Sequence, residues 1–115
     1  MSDNEAAALR NEVRSFVEKN LPADIRATVE AKRLISREQA QRWQRQLNAA
    51  GWAAPGWPKQ FGGTGWPLVK QAVLQEELLL AGAPAIESLG LGTIGPTIIR
   101  HGTEDQQTRF LDRIV

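Results

Sequence analysis

The chain has 115 residues and a mass of 12.7 kDa, with 14 Lys and Arg against 13 Asp and Glu. A net charge of +1 excludes the basic excess of a nucleic-acid surface, and 42% hydrophobic with 23% charged content excludes a disordered tail. The absence of cysteine and the single histidine exclude disulfides, thiolate chemistry and Cys- or His-rich metal sites, so no metal centre is expected. No apolar run reaches the ~18 residues of a membrane span. The N-terminus, Met-Ser-Asp-Asn-Glu, is acidic where a secretion signal would be basic. The expectation is a cytoplasmic domain with no nucleic-acid partner and little catalytic hardware.

Ser2 and Glu5 have the spacing of a capping box, and Leu9, Val13, Phe16 and Val17 recur on one helical face. A first helix is therefore predicted over Asp3 to Asn20, closed by Leu21-Pro22. Ile25 and Val29 support a second helix from about Ala23 to Arg33. Ser36 and Gln39 repeat the capping spacing ahead of Ala40, Trp43, Leu47 and Ala50, and Gly51 is placed to close that third helix in the left-handed conformation.

Residues 51–67 read GWAAPGWPKQFGGTGWP and hold five of the ten glycines, three of the six prolines and three of the four tryptophans. That density of Gly and Pro forbids a helix interior or a central strand. Trp52, Trp57, Phe61 and Trp66 are too large and apolar for a solvated linker. An ordered loop, pinned to a helical body by buried aromatics, is expected.

Pro67 suits a first helical turn, and Leu68 to Ala81 read as a helix whose second half, with Leu78, Leu79 and Leu80, implies burial on more than one side. Gly82 and Pro84 stop it. Residues 84–101 read as two short helical pieces around a tight bend. Thr103 and Gln106 cap a last helix lined by Phe110, Leu111 and Ile114. With no alternating β-branched run, the fold class is all-α: five to six helices, one long Gly/Pro/Trp loop and no significant sheet.

Few residues carry chemistry. Gly90-Leu91-Gly92-Thr93-Ile94-Gly95 matches the G-x-G-x-x-G dinucleotide pattern, but no strand precedes it, and Pro96 follows at once. Close approach of helices or of a ligand is the better account of its glycines. Glu76 and Glu77 are adjacent, so on a helix they point about 100° apart and cannot share a proton; structural or surface roles fit them better. His101 precedes Gly102 near a helix end, where it complements the C-terminal partial charge. Residues 10–45 hold nine basic and five acidic residues, a mild basic face that suits a solvated surface, a phosphate-rich ligand or an acidic partner.

Four ordered segments, GWAAPGWPKQFGGTGW, QEELLLAGAP, GLGTIGP and HGTEDQQTRFL, resemble the N-terminal helical domain of the acyl-CoA dehydrogenase family. The resemblance covers nearly all of residues 1–115, most strongly Trp43 to Val115. It implies a three-domain flavoenzyme in which FAD is bound mainly by a middle β-domain and a C-terminal helical domain, neither matched here. A C-terminal glutamate then removes the α-proton of an acyl-CoA while the flavin takes the β-hydride. No catalytic or cofactor-binding residue is expected in this chain, which alone should be inactive and should not bind FAD. Partners implied for the whole enzyme are acyl-CoA, an electron acceptor and further subunits, as a homo- or hetero-oligomer. By the same resemblance Ile86, Glu87, Leu91, Ile94 and Ile98 would line the acyl-binding wall, each buried methylene contributing about 0.8 kcal/mol. The competing account has these residues filling core between helices, with Glu87 solvated. The competing function is a stand-alone helical interaction module presenting its Trp-rich loop.

Overall fold

The computed structural model describes residues 1–86, 88 and 90–115. Helix α1 runs from Asp3 to Asn20, and Ser2 Oγ accepts from the Glu5 amide at 3.2 Å. Its buried stripe is Leu9, Val13 and Val17, while Phe16, on the same predicted face, is only half-buried against that core. The Leu21 amide donates to Val17 O at 2.9 Å, and the chain turns at Pro22 into α2 (Ala23–Glu30).

Helix α2 is shorter than its periodicity suggests. Lys32 adopts a left-handed φ of 56°, its amide donates to Val29 O, and the Arg33 amide donates to Thr28 O. This paired closure is a Schellman motif, and it ends the helix three residues before Arg33. Gly51 (φ 79°) closes α3 (Arg37–Ala49) and Gly82 (φ 94°) closes α4 (Leu68–Leu80) by the same pairing. Ser36 and Gln39 form a complete reciprocal capping box at the start of α3.

Beyond α4, a wide π turn over Gly90–Ile94 runs straight into α5 (Gly95–His101), so the two expected pieces are joined without a break. Pro96 does not interrupt them because it lies in the first turn of α5, where its missing N–H is not required. Thr103 and Gln106 form a second complete capping box for α6 (Glu104–Ile114). Six α-helices and no strand occur among the described residues, as an all-α class requires.

The helices fill a slab of 41 × 37 × 19 Å, about two helix diameters thick. Helix α1 packs chiefly on α4, and α5 on α6. The main core gathers Val13, Val17, Ile25, Trp43, Leu74 and their neighbours; a second, smaller cluster holds Ala54, Trp57 and Leu111. Helix α4 buries Val73, Leu74, Glu77 and Leu78 on one side only, leaving Leu79 and Leu80 exposed. In so thin a slab, no described element covers its outer face, contrary to the two-sided burial its leucines suggest.

Glu77 is 1% exposed within this otherwise apolar interface. Arg10 reaches it from α1 at 3.1 Å, and Arg14 makes a second, shorter ion pair to its other oxygen. Burial pushes the Glu77 carboxyl up, but the two guanidinium groups outweigh it and hold the acid below the usual carboxylate range. Glu76, its exposed neighbour, pairs loosely with Arg10 at 3.5 Å. The adjacent acids are thus a structural clasp between α1 and α4. On the opposite flank, Arg42 of α3 forks to Asp24 of α2 and to Glu38. The Arg42 guanidinium holds the Asp24 carboxyl far below its ordinary value.

Candidate functional site

The 51–67 loop is ordered by its own side chains. Trp52 is buried, edge-on to Phe16 with ring centroids 5.0 Å apart. Thr64 Oγ donates to Pro55 O at 2.7 Å and accepts from the Trp66 amide, while Gln71 of α4 donates to Trp66 O at 2.8 Å. Trp66 is half-buried beneath the Lys70 ammonium, 4.2 Å from its ring centroid. Aromatic burial, expected from composition, is therefore complete for Trp52 and Trp57 and partial for Trp66.

Trp57 joins the loop to the π turn. Its indole N–H donates to Leu91 O at 3.0 Å, and its ring lies against Gly95 so closely that a methyl group there would come within 2.1 Å of it. The last glycine of the G-x-G-x-x-G run is therefore a packing residue for an aromatic ring. The run forms a π turn and a helix start, with no strand before it among the described residues. It is not a dinucleotide cradle. A π turn opens backbone geometry in a way often found at functional sites.

An open cleft of about 490 Å³ lies where this loop faces α5. Gly56, Trp57 and Pro58 form one wall; Thr93, Thr97, Arg100 and His101 belong to the other. Thr97 Oγ donates back to Thr93 O at 2.7 Å, so its hydroxyl is already engaged. Beside it, Thr97, Ile98, His101 and Phe110 shape a shallower, mainly apolar hollow of about 280 Å³ between α5 and α6. Gln107 reaches back to the Ile98 and Ile99 carbonyls, satisfying the end of α5. His101 stands in the last turn of α5, exposed, where the sequence places it.

The structure divides the five residues expected at an acyl wall. Leu91 and Ile98 pack together on the Trp57–Leu111 cluster. Ile94, at the head of α5, is 50% exposed. Ile86 packs instead against the main core, where it borders three separate hollows. Glu87 lies outside the described residues. Thr93, Thr97 and Arg100 were not singled out from the sequence, although they follow an i, i+4, i+7 spacing that runs from the π turn into α5; Phe110, expected to line the last helix, is instead 40% exposed. Among the described residues no group of three His, Cys, Asp or Glu could hold a metal, and no helix is long and apolar enough to cross a membrane.

Among the described residues the chain is thus a six-helix slab with an aromatic-pinned loop and a π turn leading into a short helix. Residues 3–115 match the family model "Acyl-CoA dehydrogenase, N-terminal domain", and the chain belongs to that family. Acyl-CoA dehydrogenase IpdE1 of Mycolicibacterium smegmatis is 34% identical over 96% of this chain and 30% of its own length. Acyl-CoA dehydrogenase FadE26 of Mycobacterium tuberculosis is 41% identical over 60% of this chain and 17% of its own. The crystal structure of the ChsE4-ChsE5 complex from M. tuberculosis superposes with a TM-score of 0.75 at 31% identity, and the Tcur3481-Tcur3483 steroid ACAD with 0.77 at 32%. Each superposition covers 99% of this chain and 28% or 29% of the relative's, so the chain spans under a third of these relatives.

Proposed function

We propose that this chain is the N-terminal domain of a cytoplasmic, FAD-dependent enzyme that dehydrogenates an acyl-CoA thioester between its α and β carbons. The observation that carries this reading is the family match along residues 3–115, joined by superpositions that cover 99% of the chain. Proton and hydride transfer are assigned to groups outside this chain because the family resemblance puts them in the middle and C-terminal domains, while this chain's glycine run packs a tryptophan. The role of the chain is steric: to hold one wall of the acyl pocket rigid and keep water from it. Ile94 is its exposed apolar contact, and Leu91 and Ile98 support it from the Trp57 cluster. Ile86 and Glu87 are assigned to the acyl wall on the family resemblance alone, since Ile86 packs against the main core.

The substrate class we propose is a bulky, ring-bearing acyl group rather than a straight chain, because one structural relative is a steroid ACAD. A second, different subunit is proposed because the other structural relative is a complex of two proteins. The rival reading, a free-standing interaction module, loses its anchors because Trp52 and Trp57 are spent on the chain's own core.

The test is turnover by the full-length gene product of ring-bearing and straight-chain acyl-CoAs, with an artificial electron acceptor. Oxidation is expected, and Ile94→Trp should raise KM for the ring-bearing substrate roughly tenfold while sparing a short straight chain. Unchanged KM for both would remove α5 from the wall. No oxidation of any acyl-CoA would defeat the enzyme reading.

A further inference from the structure

Helix α3 sorts its arginines by face. Arg42 is held by Asp24 and Glu38, while Arg37 and Arg45 face another way and make no ion pair among the described residues. These two line a groove of about 420 Å³ with Arg113 from the end of α6, which is likewise without an ion pair. The groove thus gathers arginines from two helices, and no Asp or Glu side chain lines it among the described residues, although Val115 does. Its walls are fixed relative to each other, since Gln44 of α3 donates to Ile114 O of α6 at 2.7 Å. Ile86 and Ile114 give it an apolar floor.

Three arginines around one concavity outnumber the single terminal carboxylate that Val115 adds in the 115-residue chain, and they focus a positive potential there. Such an arrangement gains most from an anion. The planar guanidinium fork matches the paired oxygens of a phosphoryl group, and the volume suits a small ligand. We propose that the groove bounded by Arg37, Arg45 and Arg113 binds a phosphoryl-bearing anion. This site is separate from the α5 cleft and does not depend on the dehydrogenase reading. Its chemistry is met equally by the phosphates of a coenzyme and by free pyrophosphate.

The test is calorimetric titration of the 115-residue chain with pyrophosphate and, separately, with coenzyme A, at low ionic strength where such contacts are least screened. Saturable one-to-one binding is expected. Arg45→Gln and Arg113→Gln should each weaken it roughly tenfold, the scale of one charge-assisted contact. Arg109→Gln removes the same charge one turn away on α6, outside the groove, and should change affinity less than about twofold. All three arginines of the groove are exposed, so the variants should keep wild-type helicity. Coenzyme A binding more tightly than pyrophosphate, with the same loss on substitution, would assign the groove to the coenzyme's phosphates. Equal affinities would assign it to a free anion, and either order upholds the site. Titrations that do not saturate, or an Arg109→Gln effect as large as the other two, would overturn it.

Discussion

Around Trp43 four helices converge, whereas around Trp57 one loop, a π turn and two short helices meet. The first region, α1 to α4, is a broad apolar core with a buried ionic clasp. The second, where the loop meets α5 and α6, centres among the described residues on buried Ala54, Trp57 and Leu111 and depends on one tryptophan that contacts loop and turn together. The difference separates two ways of holding a helix: by many redundant contacts, or by one large side chain in a glycine-lined seat. The region that carries the proposed acyl wall is the one with less redundancy.

The largest expected effect tests that division. Trp57→Ala removes the ring against Gly95 and the hydrogen bond to Leu91 O, and large-to-small aromatic changes in cores cost about 4 kcal/mol. Hydrogen exchange should show α5 and α6 amides losing protection while α1 and α4 amides keep theirs. Uniform loss throughout would mean that the two regions form one cooperative unit.

The clasp gives the next effect, and its direction depends on which partner is removed. Arg10→Met with Arg14→Met leaves a buried carboxylate unpaired, whereas Glu77→Leu leaves two arginines that can turn to solvent. The double arginine variant should therefore melt at the lower temperature. The pH dependence should also change sign. In the native chain the depressed Glu77 carboxyl contributes stability above the ordinary unfolded value of about 4.3, and that contribution is lost as pH falls through the lower folded value. Without the arginines burial alone acts, the folded value rises, and stability declines as pH climbs from the unfolded value through the raised one. Urea midpoints taken at about pH 3 and about pH 7 would check this. The loss caused by the double variant, relative to the native chain, should be greater at the higher pH. A loss independent of pH would show that Glu77 does not carry the charge assigned to it.

Much of the α1–α4 region is legible in the sequence because its signals are local. Ser36 with Gln39, the Leu9–Val13–Val17 stripe, and Gly51 and Gly82 each act within a few residues of where they stand. The clasp is not legible, since Arg10 and Glu77 lie 67 residues apart and only the packing of α1 on α4 joins them. The site is harder still. Periodicity places Leu91, Ile94 and Ile98 on one short stretch, but it does not say that Trp57 will draw two inward and leave Ile94 exposed. Nor does it separate Ile86, whose partners belong to the other core.

The smallest effect concerns the one helix end that the local signals misplace. Helices α2, α3 and α4 close with the same hydrogen-bond pairing, yet α2 uses Lys32 where the others use glycine. A side chain in the left-handed region costs roughly 1–2 kcal/mol, and glycine returns part of that as added freedom of the unfolded chain. Lys32→Gly should therefore stabilise the protein by about 0.5 kcal/mol, read as a higher urea midpoint with an unchanged slope. Because the gain arises inside the α1–α4 region, exchange protection should rise there and stay level in α5 and α6 if the regions open separately. Lys32→Ala keeps the Cβ and should give no such gain. A gain from glycine alone would place the cost in the backbone conformation; equal gains from both would place it in the lysine charge.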